Sequence, residues 1–215
     1  MALALHPLNP TDALLVIDIQ LDFLPGGALA VADGDAIIPG INALAARFDH
    51  VILTQDWHPR NHISFASTHN LKPFTDTIDA PYGKQTLWPD HCIQNTQGAQ
   101  LHPDLDIPHT ELILRKGFRV GIDSYSAFTE NDGQTSTGLA GYLQDRGLTR
   151  LFFVGLAFDF CVGFSALAAA KLGFDSIVID DLTRAVGLPG TVEATNAAFT
   201  AASVQRISSA ALLAP

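Results

Sequence analysis

Residues 151–180 read LFFVGLAFDFCVGFSALAAAKLGFDSIVID and hold a complete structural unit. LFFVG, from Leu151 to Gly155, is a continuous apolar run of strand length, as a strand buried on both faces requires. A helix is predicted from about Phe160 to Leu172, and SIVID, from Ser176 to Asp180, is a second strand of the same kind. Two such strands joined through a helix pair in parallel, with a right-handed crossover.

The same alternation continues outward in both directions. ALLVI at Ala13–Ile17 is a buried strand ending at Asp18, and Asp35–Phe48 carries apolar residues at helical spacing, with Pro39 in its first turn. HVILT at His50–Thr54 and Leu112–Leu114 are further strands, the latter running into Arg115 and Lys116. Helices are predicted from Gly138 to about Arg146 and from about Val192 to Ser203. This pattern predicts an α/β fold of three layers, with helices on both faces of a mostly parallel central sheet. The stretch from about Gln55 to Thr110 is rich in Pro, His, Asn and Asp and shows no regular pattern; a long irregular insertion in a compact domain usually carries function. No linker or low-complexity tract divides the chain, so residues 1–215 are expected to form one domain with its insertion at about 55–110.

Composition narrows the function. At 215 residues the chain can bury a core without disulfides or a structural metal, so any metal is expected to be functional. Only 16% of residues are charged, which suggests surface hidden against helices or against a second copy in a homo-oligomer. A net charge of -10 argues against nucleic acid and anionic membranes as partners. Two cysteines, Cys92 and Cys161, in unlike surroundings, and a start, MALALHPLNP, with no basic or long apolar region, predict a reducing, cytoplasmic setting. No apolar run reaches the roughly 18 residues of a membrane span.

Open parallel sheets bind ligands outside the carboxyl ends of their strands. Asp18, Asp56, His58, Lys116 and Cys161 all fall at such ends. Cys161, expected in the first turn of a helix and near a lysine, is a candidate nucleophile with a stabilised thiolate, or else a small core residue. Asp18 is a candidate general base and acid, or a turn cap; Lys116 would keep both groups charged, or is an exposed strand-end lysine. Asp56 and His58, with His91 from WPDHC, offer one oxygen and two nitrogens, a set that suits zinc, iron or manganese and leaves positions open; turn-forming loop residues are the plainer reading. His62 is a further metal candidate, whereas His6, His50, His69, His102 and His109 are expected in solvent or packing roles. Phe23 and Trp88 could sandwich a flat ring. The chain lacks GxGxxG, GxxxxGK and GxSxG, which removes the best evidence for nucleotide cofactors or a serine elbow.

The segments LLVIDIQLDFLPGGALAV, TQDWHPRNHISFAS, LWPDHCIQNTQGAQLHPDL, RKGFRVGIDSYSAF and GLAFDFCVGFSALAAAKLGF together closely resemble the nicotinamidases of the isochorismatase-like cysteine hydrolase superfamily, over nearly the whole chain. The resemblance implies an isochorismatase-like fold and conversion of nicotinamide and water to nicotinate and ammonia through a thioester on Cys161, with Asp18 as acid and base and Lys116 as the third member. It implies a divalent metal on Asp56, His58 and His91 facing the pyridine nitrogen, a ring held by Phe23 and Trp88, and an oxyanion hole from the amides of Ala157 and Cys161 beside a cis Leu156–Ala157 peptide. Pyrazinamidase activity and a role in NAD salvage come from the same resemblance. The chain departs from it at Phe158, where many relatives have Thr, and the missing hydroxyl is expected to bear on fine substrate preference. The competing expectations are a sibling hydrolase acting on another amide, ureido or vinyl-ether substrate, and a non-catalytic protein on a retired scaffold.

Overall fold

The computed structural model describes residues 7–213, so His6 lies outside the described residues. In chain order the regular elements are β1 (Asp12–Ile17), α1 (Ile38–Ala45), β2 (His50–Asp56), α2 (Ala66–His69), β3 (Thr77–Ala80), β4 (Gly83–Thr86) and β5 (Leu112–Lys116). They continue with α3 (Leu139–Asp145), β6 (Arg150–Leu156), α4 (Gly163–Lys171), β7 (Asp175–Arg184), α5 (Thr191–Ala202), β8 (Gln205–Ile207) and α6 (Ala210–Leu213). Six strands form one parallel sheet in the order β5-β2-β1-β6-β7-β8. This is the three-layer α/β architecture that the strand–helix alternation predicts.

The apolar runs are continuous because both faces of the sheet are covered. On one face Leu14, Val16, Val51, Leu53, Phe152 and Val154 pack with Ile41 and Leu44 of α1. On the other, Ala13, Leu15, Ile17, Leu151, Phe153 and Val178 meet Leu139 of α3, Ala166 of α4 and Phe199 of α5. Each large apolar side chain so buried contributes roughly 1.5–3 kcal/mol of transfer free energy.

Several predicted boundaries move. The helix expected over Asp35–Phe48 is a 3-10 turn, Asp35–Ile37, followed by α1 with Pro39 near its start. It stops at Ala45 because the amides of Arg47 and Phe48 turn back onto the carbonyls of Leu44 and Ala45. Residues 55–110 are not structureless: they hold α2 and the antiparallel β3–β4 hairpin. The hairpin escapes periodicity because it is largely exposed and polar and covers no core. The short strand β8 shows too few residues for an apolar pattern. Among the described residues, no helix is long and apolar enough to cross a membrane.

At the centre of the sheet, Gly155 of β6 pairs with Ile17 of β1 at φ +108°. A Cβ there would run into the Ile17 backbone, so glycine lets β6 lie close against the end of β1.

Candidate active site

Two registers assemble the site. Asp56 pairs with Lys116 across β2 and β5, and Ile17 pairs with Gly155 across β1 and β6. The first sets Asp56 Oδ1 2.5 Å from Lys116 Nζ. The second brings Asp18, one residue past β1, beside the chain that leaves β6 through the cis peptide Leu156–Ala157 toward Cys161. Lys116 Nζ lies 2.8 Å from Asp18 Oδ2 and donates to Cys161 Sγ at 3.3 Å and to the Ser124 carbonyl at 3.1 Å. Lys116 is only 1% exposed, which overturns the reading of it as a solvated strand-end lysine.

An ammonium has three hydrogens, and here four acceptors, from Asp56, Asp18, Ser124 and Cys161, surround it. Asp18 Oδ2 is close enough to pair with the charge but has no aligned donor, while Oδ1 accepts from Thr54 Oγ1 at 2.5 Å. Oδ2 is thus the oxygen turned toward Lys116, while Thr54 holds Oδ1. Burial raises the Asp18 carboxyl above its ordinary value, outweighing the downward pull of Lys116. Burial also disfavours a charged Asp56, yet Lys116 and His58 hold that carboxylate well below its usual range. Lys116 itself is held well above its ordinary value, because Asp18 and Asp56 overcome its desolvation.

Cys161 departs from expectation in one respect. It lies not in the first turn of an α-helix but in a π-helical turn, Phe158–Val162, ahead of α4. Burial pushes its thiol well above the ordinary value despite Lys116. Attack through a thiol pushed up in this way needs a base. The ligand atoms of Asp18, Asp56 and Cys161 all lie within 4.8 Å of one another.

Asp56 also belongs to a second set. One oxygen of its carboxylate and one ring nitrogen each from His58 and His91 lie within 4.8 Å of one another, and all three residues are buried. Nδ1 of His58 faces the Gly117 carbonyl at 2.8 Å, and Nδ1 of His91 faces that of Pro89 at 2.7 Å. A carbonyl accepts only, so Nδ1 of each ring carries a proton and Nε2 is the atom turned to Asp56's side of the site. This donor set fits a divalent transition metal. Gly117, at φ +65°, leaves the room that the His58 ring occupies. His62 stacks on His58 at 4.2 Å between centroids, but its nitrogens face Ser64 Oγ and the Ile122 carbonyl. Burial, reinforced by His58, takes its pKa down to about 4.

Both sets open onto one cavity, whose walls include Phe23, Trp88, Ala157 and Cys161. The remaining histidines stand apart: His50 pairs with Glu111, His69 faces the Ile63 carbonyl, His102 lies near Asp104, and His109 faces the Ala45 carbonyl. Residues 12–210 match the model of the isochorismatase domain family. A nicotinamidase of Acinetobacter baylyi is 55% identical over 94% of this chain and 94% of its own. The chain belongs to the nicotinamidase branch of the isochorismatase family. Among solved structures, an Acinetobacter baumanii nicotinamidase and pyrazinamidase superposes with a TM-score of 0.92 at 53% identity, covering 94% of this chain and 97% of the other. An L. infantum protein solved in complex with nicotinate gives 0.83 at 42% identity, covering 95% and 96%. A Pyrococcus horikoshii pyrazinamidase in complex with zinc gives 0.76 at 32% identity, covering 93% and 99%.

In this nicotinamidase-family chain the departure at Phe158 does not reach the cavity. The Phe158 ring packs on Phe199 of α5, 5.6 Å between centroids, and lies under the Arg206 guanidinium. Any bearing on substrate preference would have to pass through the neighbouring backbone. We expect Phe158→Thr to leave KM within about twofold while lowering unfolding stability in urea by about 3 kcal/mol, from the void and the buried hydroxyl.

Cavity-wall and supporting residues without a sequence-level role also emerge. Leu29, Asp123, Tyr125, Phe160 and Val186 line the cavity. Gln20 clamps Asp56 through both backbone groups, donating to its carbonyl at 2.8 Å and accepting from its amide at 2.7 Å. Asp123 and Tyr125 stand in the DSYSAF stretch shortly after Lys116, and that proximity is the signal that could have flagged them.

Proposed function

We propose that this chain hydrolyses the carboxamide of nicotinamide, and of the related pyrazinamide, to the acid and ammonia. The carrying observation is Lys116 Nζ, which touches Asp18, Asp56 and Cys161 together at the edge of an aromatic-walled cavity. Asp18 Oδ2 takes the thiol proton as Cys161 Sγ attacks the carboxamide carbon, and Lys116 balances the charge that moves. The amides of Ala157 and Cys161 receive the oxyanion. Asp18 then returns its proton to the departing nitrogen, which leaves as ammonia. Water attacks the resulting thioester while Asp18 takes its proton; the acid leaves and the thiol is restored.

Phe23 and Trp88 would hold the flat ring between them. Asp56, His58 and His91 would hold one divalent ion, zinc, iron or manganese, which when bound supplies a Lewis-acid anchor for a ring lone pair. Residues 55–110 then act as the metal-binding insertion of a single domain, and the reaction serves recovery of the pyridine ring for NAD synthesis in the cytoplasm.

The test is ammonia release from nicotinamide by the purified protein, before chelation, after it, and with each metal restored. Release that falls at least tenfold on chelation and returns with metal is the expected result. No release with metal bound would turn attention to sibling amide and ureido hydrolases.

A further inference from the structure

Behind the aromatic wall of the cavity, the β3–β4 hairpin sends one buried side chain inward. Gln85 of β4 is 1% exposed and makes contacts at both ends of its amide. Its Nε2 lies within hydrogen-bond distance of three acceptors that share its two hydrogens: the Thr86 carbonyl at 2.7 Å, Asp123 Oδ2 at 2.9 Å and Tyr125 OH at 3.0 Å. Its Oε1 accepts from Tyr82 OH at 3.0 Å and from Asn131 Nδ2 at 3.2 Å. A carboxylate and a carbonyl on one side, with an amide N–H donor on the other, permit only one orientation of the group.

Tyr125 OH also accepts from Trp88 Nε1 at 3.0 Å. The indole N–H can only donate, so the hydroxyl must turn a lone pair toward it. The Gln85 amide occupies the other side of the same oxygen and pins it. Trp88 and Tyr125 face the cavity, and their rings meet Phe160 edge to face at 4.8 and 5.4 Å. Gln85 is not among the residues lining the cavity.

We propose that Gln85 is a positioning residue for substrate binding: through the Tyr125 hydroxyl it sets the rotation of the Trp88 indole, and with it the slot that a flat heteroaromatic amide enters. The proposal rests on the nicotinamidase reading for its substrate, although the geometry it asserts can be observed without one. Gln85 contacts none of Asp18, Lys116 and Cys161, so its loss acts on ring binding and spares the reacting atoms. A buried hydrogen-bond chain of this kind is worth about tenfold in binding.

The variants are Gln85→Met, which keeps length and removes the amide, and Tyr125→Phe, which removes only the shared oxygen. With only two tryptophans in the chain, the Trp88 indole N–H resonance is assigned by its persistence in Trp57→Phe. Each variant is expected to move that resonance upfield and to raise KM for nicotinamide about tenfold, with kcat within about twofold. The double variant should be no worse than the poorer single, because both break one chain. Should Gln85→Met fail to fold, Gln85→Glu, which retains the acceptor and loses the amide hydrogens, takes its place. An unmoved Trp88 resonance, a fall in kcat at constant KM, or multiplying penalties would overturn the proposal. Wild-type protein that releases no ammonia from nicotinamide would instead defeat the nicotinamidase reading, and the resonance alone would then decide the role of Gln85.

Discussion

Cys161→Ala is expected to lower kcat for nicotinamide by on the order of 10⁴-fold or more, since it removes the atom that forms the acyl-enzyme in the proposed mechanism. The change is small in volume and lies at a cavity wall, so the fold should persist. The thiol stands outside the Asp56, His58 and His91 set, and bound metal, measured by elemental analysis, should remain. Cys92 cannot take over: it is fully buried and is not among the residues lining the cavity. An Ala variant that turns over at the wild-type rate, with metal retained, would sink the covalent mechanism.

Lys116→Met is expected to remove activity and also to destabilise the fold by about 3–5 kcal/mol, the usual cost of breaking a buried ion pair from one side. The aliphatic stem is replaced with little change in volume, but Asp18 and Asp56 lose the buried cation between them. Lys116 lowers the pKa of both carboxyl groups, so without it burial lifts each higher. A carboxyl whose folded pKa stands above its unfolded value contributes stability that is present at low pH and lost as pH rises through the folded value. The stability deficit of the variant should therefore grow from acid toward neutral pH, as urea unfolding at several pH values will show. A deficit independent of pH would mean that Lys116 acts through packing rather than charge.

Much of this site is legible in the chain because strand ends are legible. An apolar run stops where the backbone leaves the sheet, so Asp18, Asp56, Lys116 and the Cys161 turn are marked as rim residues by position alone. Gln85 and Tyr125 carry no such mark. Tyr125 lines the cavity from an irregular loop and Gln85 stands behind it on a polar hairpin, where neither apolar period nor strand end announces a direction. The placement of Phe158 is hidden for a related reason: a linear comparison aligns it with a hydroxyl, and only the π-helical turn shows its ring packed on Phe199 of α5.

The order of residues by itself determined the layered α/β fold, the parallel sheet and the rim residues, because burial on two faces demands continuous apolar runs and a helix between strands. Only the tertiary structure decided which rim residues meet and in what state. Asp56 faces Lys116, and Asp18 faces the turn leading to Cys161, because adjacent parallel strands lock in one register. The thiol is pushed above its ordinary value because desolvation sums over every neighbouring group, and no local stretch of sequence contains that sum.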